Sequence, residues 1–288
     1  MKHLILNADD FAFNAAVSRG IVTLAQKGRL TATSAMTLSP RWATDAPALA
    51  EFRAQIDVGL HLDWTSPFAI NAGHGFGLKR AMLSAVLGGF NKTTARVVIE
   101  RQLDAFEQVW QASPSHIDGH QHVHQFKGIR DALVDIMAKR YNGVPSDQQP
   151  YLRISKGASG WLDVKANVIA ALNANAIKNI ATKAGITPAK GLFGIYNFEG
   201  SEADFARLMA QWLREAPDHT IIMCHPAHGV LDALDSVIDA DDAIAQARQR
   251  EFNYLSSDDF AQALLHASVD LKKSIPINLI SMKGPETA

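Results

Sequence analysis

Ser115-His116-Ile117-Asp118-Gly119-His120-Gln121-His122-Val123-His124-Gln125-Phe126 holds four of the chain's eleven histidines with an aspartate among them. All five share one parity. In a β-strand alternate residues point the same way, so His116, Asp118 and His120 would line one face. Gly119 and the polar residues after it predict that the strand ends near His120, leaving His122 and His124 on the following loop. The run is internal, non-repetitive and contains an aspartate, which favours a metal site over a solvated histidine tract.

Working outward, two other stretches have the same character. Leu4 to Asp10 is an apolar run that ends in Asn7-Ala8-Asp9-Asp10, and Ile56 to Trp64 is strand-like and carries His61. Each places a carboxylate or an imidazole at the C-terminal end of a β-type run, where parallel α/β folds build their sites. Three such ends converging would present one carboxylate and two imidazoles. That donor set suits a divalent cation with positions left open for water and substrate.

Between these stretches strand-like runs alternate with helical periodicity. Strands are expected at His3–Ala8, Thr31–Leu38, Ile56–Leu62, His116–His120, Tyr151–Ile154, Leu192–Tyr196 and Thr220–Cys224, and an eighth at Ile275–Ile280 that Pro276 weakens. Helices are expected over Ala15–Lys27, with Gly28 as a stop, and over Trp42–Phe52, Thr93–Gln111 and Val164–Ala184. Further helices are read around Ile129–Met137, after a capping box at Ser201 and Asp204, and over Asp241–Tyr254 and Ser257–Ala267. Thr65–Gly77 reads as a long loop over a site. Seven or eight β/α units without a linker-like break predict α/β architecture: a single (β/α)-barrel-like domain over residues 1–288, a TIM-barrel variant, with a doubly wound open sheet as the alternative.

Composition narrows the partners. The chain has 288 residues, 47% hydrophobic and 20% charged, with a formal net charge of −1, so no electrostatic case exists for nucleic acid or an anionic membrane. One cysteine, Cys224, excludes an internal disulfide. The apolar part of the N-terminus is too short for a secretory leader, and no run approaches the roughly 20 residues of a membrane-spanning helix. The expectation is a soluble cytoplasmic protein.

Four motifs in order carry a resemblance: Asn7-Ala8-Asp9-Asp10-Phe11, Gly59-Leu60-His61-Leu62, His116 to His124, and Met223-Cys224-His225-Pro226. Together they resemble the YdjC-like carbohydrate deacetylases, including the ChbG-type chitooligosaccharide deacetylases. The resemblance implies a (β/α)-barrel variant and a divalent metal, magnesium by preference, with zinc, manganese, cobalt or iron also compatible with the imidazoles. It further implies a small acetylated sugar as substrate, a homodimer, Asp10, His61 and His120 as metal ligands, and Asp9 as general base. Two departures stand out: Ala12 and Ala227 where members usually have glycine, which leaves loop geometry near both motifs open.

Asp9 and Asp10 are adjacent, so both can serve one site only if the chain turns there. His61 alone in an apolar strand would read as a core histidine; the motif makes it a ligand. His225, after Ile221–Cys224, is placed like a general acid. His116, His122 and His124 cannot all bind one metal and are expected to orient ligands, touch substrate or sit on an exposed loop. Arg153 is expected to contact substrate, to hold a catalytic carboxylate or to form a surface ion pair. Trp64, Phe68, Trp161 and Tyr196 offer flat faces for sugar rings, and His124 is a further substrate-contact candidate. Cys224 is expected to be buried. The competing functions are a non-haem metal oxygenase, a metal phosphoesterase and a catalytically silent sugar-binding barrel.

Overall fold

Strand β1 (Lys2–Phe11) is the axis of the molecule, because three other strands pair with it directly. The structure is a computed structural model and describes residues 1–145, 147–156, 164–229 and 242–273. The remaining strands are β2 (Ala32–Ala35), β3 (Asp57–Leu62), β4 (His116–Gly119), β5 (Tyr151–Leu152), β6 (Leu192–Phe193), β7 (Ile221–Cys224) and β8 (Val269–Leu271). Their order is β5-β4-β3-β2-β1-β7-β6, every pairing is parallel, and β8 joins the start of β1. Parallel neighbours need a crossover, and the intervening helices supply it. The sheet curls on itself. Leu152 is bonded to Thr187 and Ala189, and Gly191 a few residues on accepts from Ile221. The barrel-like expectation therefore holds, and the open doubly wound alternative does not.

Alternation decides what lies inside the curl. Leu4, Leu6, Ala8, Val58, Leu60, Ile117 and Leu152 belong to the large core shared with the helices. The opposite parity forms a small interior cluster of Ile5, Ala32, Tyr151, Leu192, Ile221 and Met223. Above this apolar layer the same inward faces turn polar, with Asn7, Asp9, Ser34, His61, His116, Asp118 and Arg153 all buried. Gly59 makes the layer fit: a Cβ there would meet the His116 ring at 2.3 Å.

Local chemistry sets the helices. Helix α1 (Ala15–Gln26) starts where the Asn14 side chain accepts from Val17 N, and left-handed Gly28 follows its end. Then come α2 (Trp42–Ala50), α3 (Pro67–Asn71), α4 (Leu78–Leu87), α5 (Lys92–Trp110), α6 (Ile129–Arg140), α7 (Val164–Lys183), α8 (Glu202–Glu215), α9 (Ala245–Ser256) and α10 (Asp258–His266). The Ser201–Asp204 capping box is formed in both directions. The Thr65–Gly77 stretch differs from a plain loop. Ser66 caps α3 within it, with Pro67 in the first turn, where a proline costs no hydrogen bond. Helix α4 was not expected: its only buried residue is Ala81, and Leu83, Val86 and Leu87 on it are exposed. The strand expected at Ile275–Ile280 and Trp161 lie outside the described residues. No described helix is long and apolar enough to cross a membrane.

Candidate active site

All strands run the same way, so their C-terminal ends gather at one mouth, and the motif residues gather with them. Asp10 Oδ1 lies 3.2 Å from His61 Nε2 and 3.0 Å from His120 Nδ1. The ligand atoms of Asp10, His61 and His120 lie within 4.8 Å of one another. One carboxylate oxygen and two ring nitrogens thus converge from β1, β3 and the turn after β4.

The chain does turn at the paired aspartates, at Asp10 itself. Its φ is +69°, and the β1–β2 register shifts between Ala8 and Phe11. Left-handed backbone is open to aspartate at modest cost. This break in alternation brings two neighbouring carboxylates to one mouth. Ala12 is also left-handed, at φ +71°, where alanine is strained and glycine is not. The departure at Ala12 therefore falls on a conformationally demanding position. Ala227 has no such backbone.

His61 is held from behind. His61 Nδ1 donates to Asp118 Oδ1 at 2.6 Å, which leaves Nε2 facing Asp10. An aspartate behind a histidine in this way fixes the ring's tautomer and orientation for a metal. Burial would lower the His61 pKa, but Asp118 and Asp10 outweigh it and raise it to about 10. His120 sits on a 3-10 helix (His120–Gln125), with Gln121 and His122 left-handed at φ +52° and +62°. His122 faces the cavity, its Nδ1 is buried without a partner, and burial and the Arg153 charge lower its pKa to about 3.

Asp9 sits one layer deeper, 2% exposed. Arg153 grips it bidentately, Nη1 donating to Oδ1 at 2.6 Å and Nη2 to Oδ2 at 2.7 Å, while Nη1 also lies 2.8 Å from Asp118 Oδ2. Asn7 Nδ2 donates to Asp9 Oδ1 at 2.6 Å. Burial would raise the Asp9 carboxyl, yet the Arg153 guanidinium holds it below the usual carboxylate range. His225 Nε2 lies 3.9 Å from Asp9 Oδ2, its ring edge-on to Phe198 and its Nδ1 without a partner. The cavity over these groups has a volume of about 400 Å³, and Phe13, Tyr196 and Ile244 stand among its walls.

The expected residues divide into two sets. Asp9, Asp10, His61, His120 and His225 meet at the cavity. Arg153, 0% exposed, faces the carboxylates, one of its three expected roles, and its burial excludes the surface ion pair. His124 is equally buried, with Nε2 3.0 Å from the Arg153 carbonyl, and Trp64 packs against His74 and Phe90. Neither lines the cavity. His116 also lies inside, its Nε2 2.9 Å from Ser34 Oγ, which donates to Asp118. Cys224 is buried, and burial raises its thiol well above the usual range.

Two residues were not anticipated. Arg248 and Glu251, both on α9, are 2% and 0% exposed. Arg248 Nη2 donates to Asp10 Oδ2 at 2.8 Å and Nε to Asp242 Oδ2 at 2.8 Å. Glu251 accepts from the His225 backbone N–H and from Tyr196 Oη. Their sequence signal is positional: residues 248, 251, 252 and 255 make a helical stripe, and Phe252 and Leu255 on it are buried.

The chain is similar to known proteins in sequence and in fold. The chain is 27% identical to a carbohydrate deacetylase of Halalkalibacterium halodurans, over 88% of this chain and 94% of that one. It is 26% identical to a chitooligosaccharide deacetylase of Serratia marcescens over 78% and 82%. Other curated relatives are matched over about half their length, among them a human carbohydrate deacetylase at 29% identity and 54%. A solved Enterococcus faecalis protein, named for a proposed cellobiose-phosphate cleavage role, superposes with a TM-score of 0.70 at 20% identity, covering 94% of this chain and 97% of that one. The Xyl-CE4 domain of a termite-gut xylanase has a TM-score of 0.51 at 7% identity, over 99% and 94%, a likeness of fold alone. The family model for YdjC-like proteins matches residues 3–266, nearly the whole chain, and the chain belongs to that family.

Proposed function

We propose that this chain is a divalent-metal-dependent hydrolase that removes the N-acetyl group from acetylated amino sugars or chitooligosaccharides and releases acetate. The observation that carries the reading is the convergence of Asp10 Oδ1, His61 Nε2 and His120 Nδ1 beside a second buried carboxylate, Asp9. The relatives' names supply the substrate class. Asp10, His61 and His120 would hold the ion. Two imidazoles and one carboxylate suit zinc, cobalt, manganese or ferrous iron, and magnesium is the ion implied by resemblance.

A bound divalent ion would lower the pKa of water and stabilise the developing oxyanion. Asp9 stays ionised because Arg153 fixes it, so it is ready to accept a proton as water attacks the acetamide carbonyl. Arg153 also makes Asp9 a weak base, which suits a water already acidified. His225, across the cavity, gives a proton to the leaving amine. Phe13, Tyr196 and Phe198 provide apolar faces for the sugar. We take residues 1–288 as one domain.

The test is acetate release from N-acetylated chitobiose and chitotriose by metal-stripped protein, with and without added zinc, manganese or magnesium. Release should require the ion and disappear in His120→Ala along with stoichiometric ion binding. Asp9→Asn should keep the ion and lose roughly 10²–10⁴ in kcat. An ion-loaded protein that releases no acetate would defeat the proposal, and dioxygen uptake by its iron form would point to an oxygenase.

A further inference from the structure

Asp10 has two oxygens, and the structure treats them differently. Oδ1 faces His61 and His120 at 3.2 and 3.0 Å. Oδ2 turns away and accepts from Arg248 Nη2 at 2.8 Å. The guanidinium has little freedom to let go. Its Nε is tied to Asp242 at 2.8 Å, its carbon lies 5.3 Å over the Phe13 ring, and the residue's own carbonyl accepts from Ala227 N. Arg248 is 2% exposed and anchored on α9, so it is part of the fold rather than a surface ion pair.

We propose that Arg248 is a positioning residue that reserves Oδ1 of Asp10 for the cation by occupying Oδ2, making the aspartate a one-oxygen ligand. The inference rests on the reading of Asp10, His61 and His120 as a cation site. Its consequence is ion choice. Calcium takes six to eight oxygens and readily uses both oxygens of a carboxylate, whereas zinc is satisfied by one oxygen and two imidazoles in a four-coordinate shell. A carboxylate locked into one-oxygen presentation therefore disfavours large oxygen-seeking ions. A guanidinium serves better than an ammonium, because its planar fork binds Asp10 and Asp242 at once.

The experiment is calorimetric titration of the metal-stripped full chain with zinc and, separately, calcium. It compares wild type, Arg248→Met and Arg248→Lys, with circular dichroism to establish folding. Wild type should prefer zinc strongly. In Arg248→Met the calcium-to-zinc affinity ratio should rise about tenfold or more, because Asp10 can then offer both oxygens. Arg248→Lys should fall between. The ratio is the readout because general loosening of the site would weaken both ions together, and loss of a positive charge would strengthen both. Should Arg248→Met not fold, Asp242→Asn, which frees only the far anchor, must shift the ratio in the same direction by a smaller factor. An unchanged ratio in variants that still bind zinc overturns the role of Arg248 alone. A wild-type chain that binds no divalent ion overturns the cation reading as well.

Discussion

Two cavities of the same size, about 400 Å³ each, open at opposite ends of the curled sheet. The upper one, at the C-terminal ends of the strands, is floored by buried carboxylates and imidazoles whose lone pairs converge. The lower one is lined by His3, Lys190, His219, Lys272 and Lys273. Two of these groups pair with aspartates beside the cavity: Lys272 lies 2.9 Å from Asp270 and His219 3.2 Å from Asp218. Among the described residues, every group of three ligand-type side chains lies at the upper end. Volume alone therefore does not mark a site here. Inward parity at the strand ends does, because it forces unlike groups to share one buried space. Between the two cavities lies the polar layer of Asp9, Asp118 and Arg153, and the apolar layer beneath it belongs to the lower end.

The largest effect should come from Arg153→Met. It leaves Asp9 and Asp118 buried without their cation, and stability should fall by about 3–5 kcal/mol in urea unfolding. A loss under 1 kcal/mol would mean that water already reaches this layer. Next is proton linkage at His61. Its folded pKa of about 10 lies above the ordinary histidine value of 6.5, so in the metal-free protein only the folded chain keeps this proton between those limits. That stabilisation is complete below pH 6.5 and lost as pH rises through 10. A cation must displace the same proton, so its affinity should weaken about tenfold for each pH unit below 10. Calorimetry near pH 8 in buffers of different ionisation enthalpy should count one proton released per ion. Ala12→Gly should raise stability by about 1 kcal/mol, by relieving left-handed strain at the upper mouth, with acetate release retained. Smallest should be Tyr151→Phe at the lower end. It deletes a buried hydroxyl that has no partner among the described residues and should change stability by under about 1 kcal/mol and turnover not at all.

The upper end was also the legible one. β-strands alternate, so the parity of His116 with Asp118 and the placing of His61 could be read directly, and the strand ends fell where the polar residues begin. Three things could not be read. The left-handed turn at Asp10 is a tertiary choice, since nothing in Asp9-Asp10-Phe11 distinguishes it from a continuing strand. The burial of helix α4 does not follow its apolar residues: it buries only Ala81 and leaves Leu83, Val86 and Leu87 exposed. Arg248 and Glu251 sit in Ala-Gln-Ala-Arg-Gln-Arg-Glu, which looks like a solvated helix surface. They are buried because Asp10 and the His225 backbone lie opposite them, and partners across 238 and 26 residues leave no trace beyond the stripe shared with Phe252 and Leu255. Arg153 was legible as important but not as interior, because a buried arginine is rare unless paired and its partner lies far along the chain.

That distance has a kinetic consequence. Arg153 and Asp9 are 144 residues apart in sequence and meet in the buried interior. Neither charge can leave water alone without a penalty of several kcal/mol, so β5 cannot settle against the interior until β1 is already in place. Closing so long a loop is slow in proportion to the chain entropy it removes. The layer that orients the candidate base should thus also time the last stage of assembly, with the β1-centred sheet forming first and the mouth becoming competent only when Arg153 locks in.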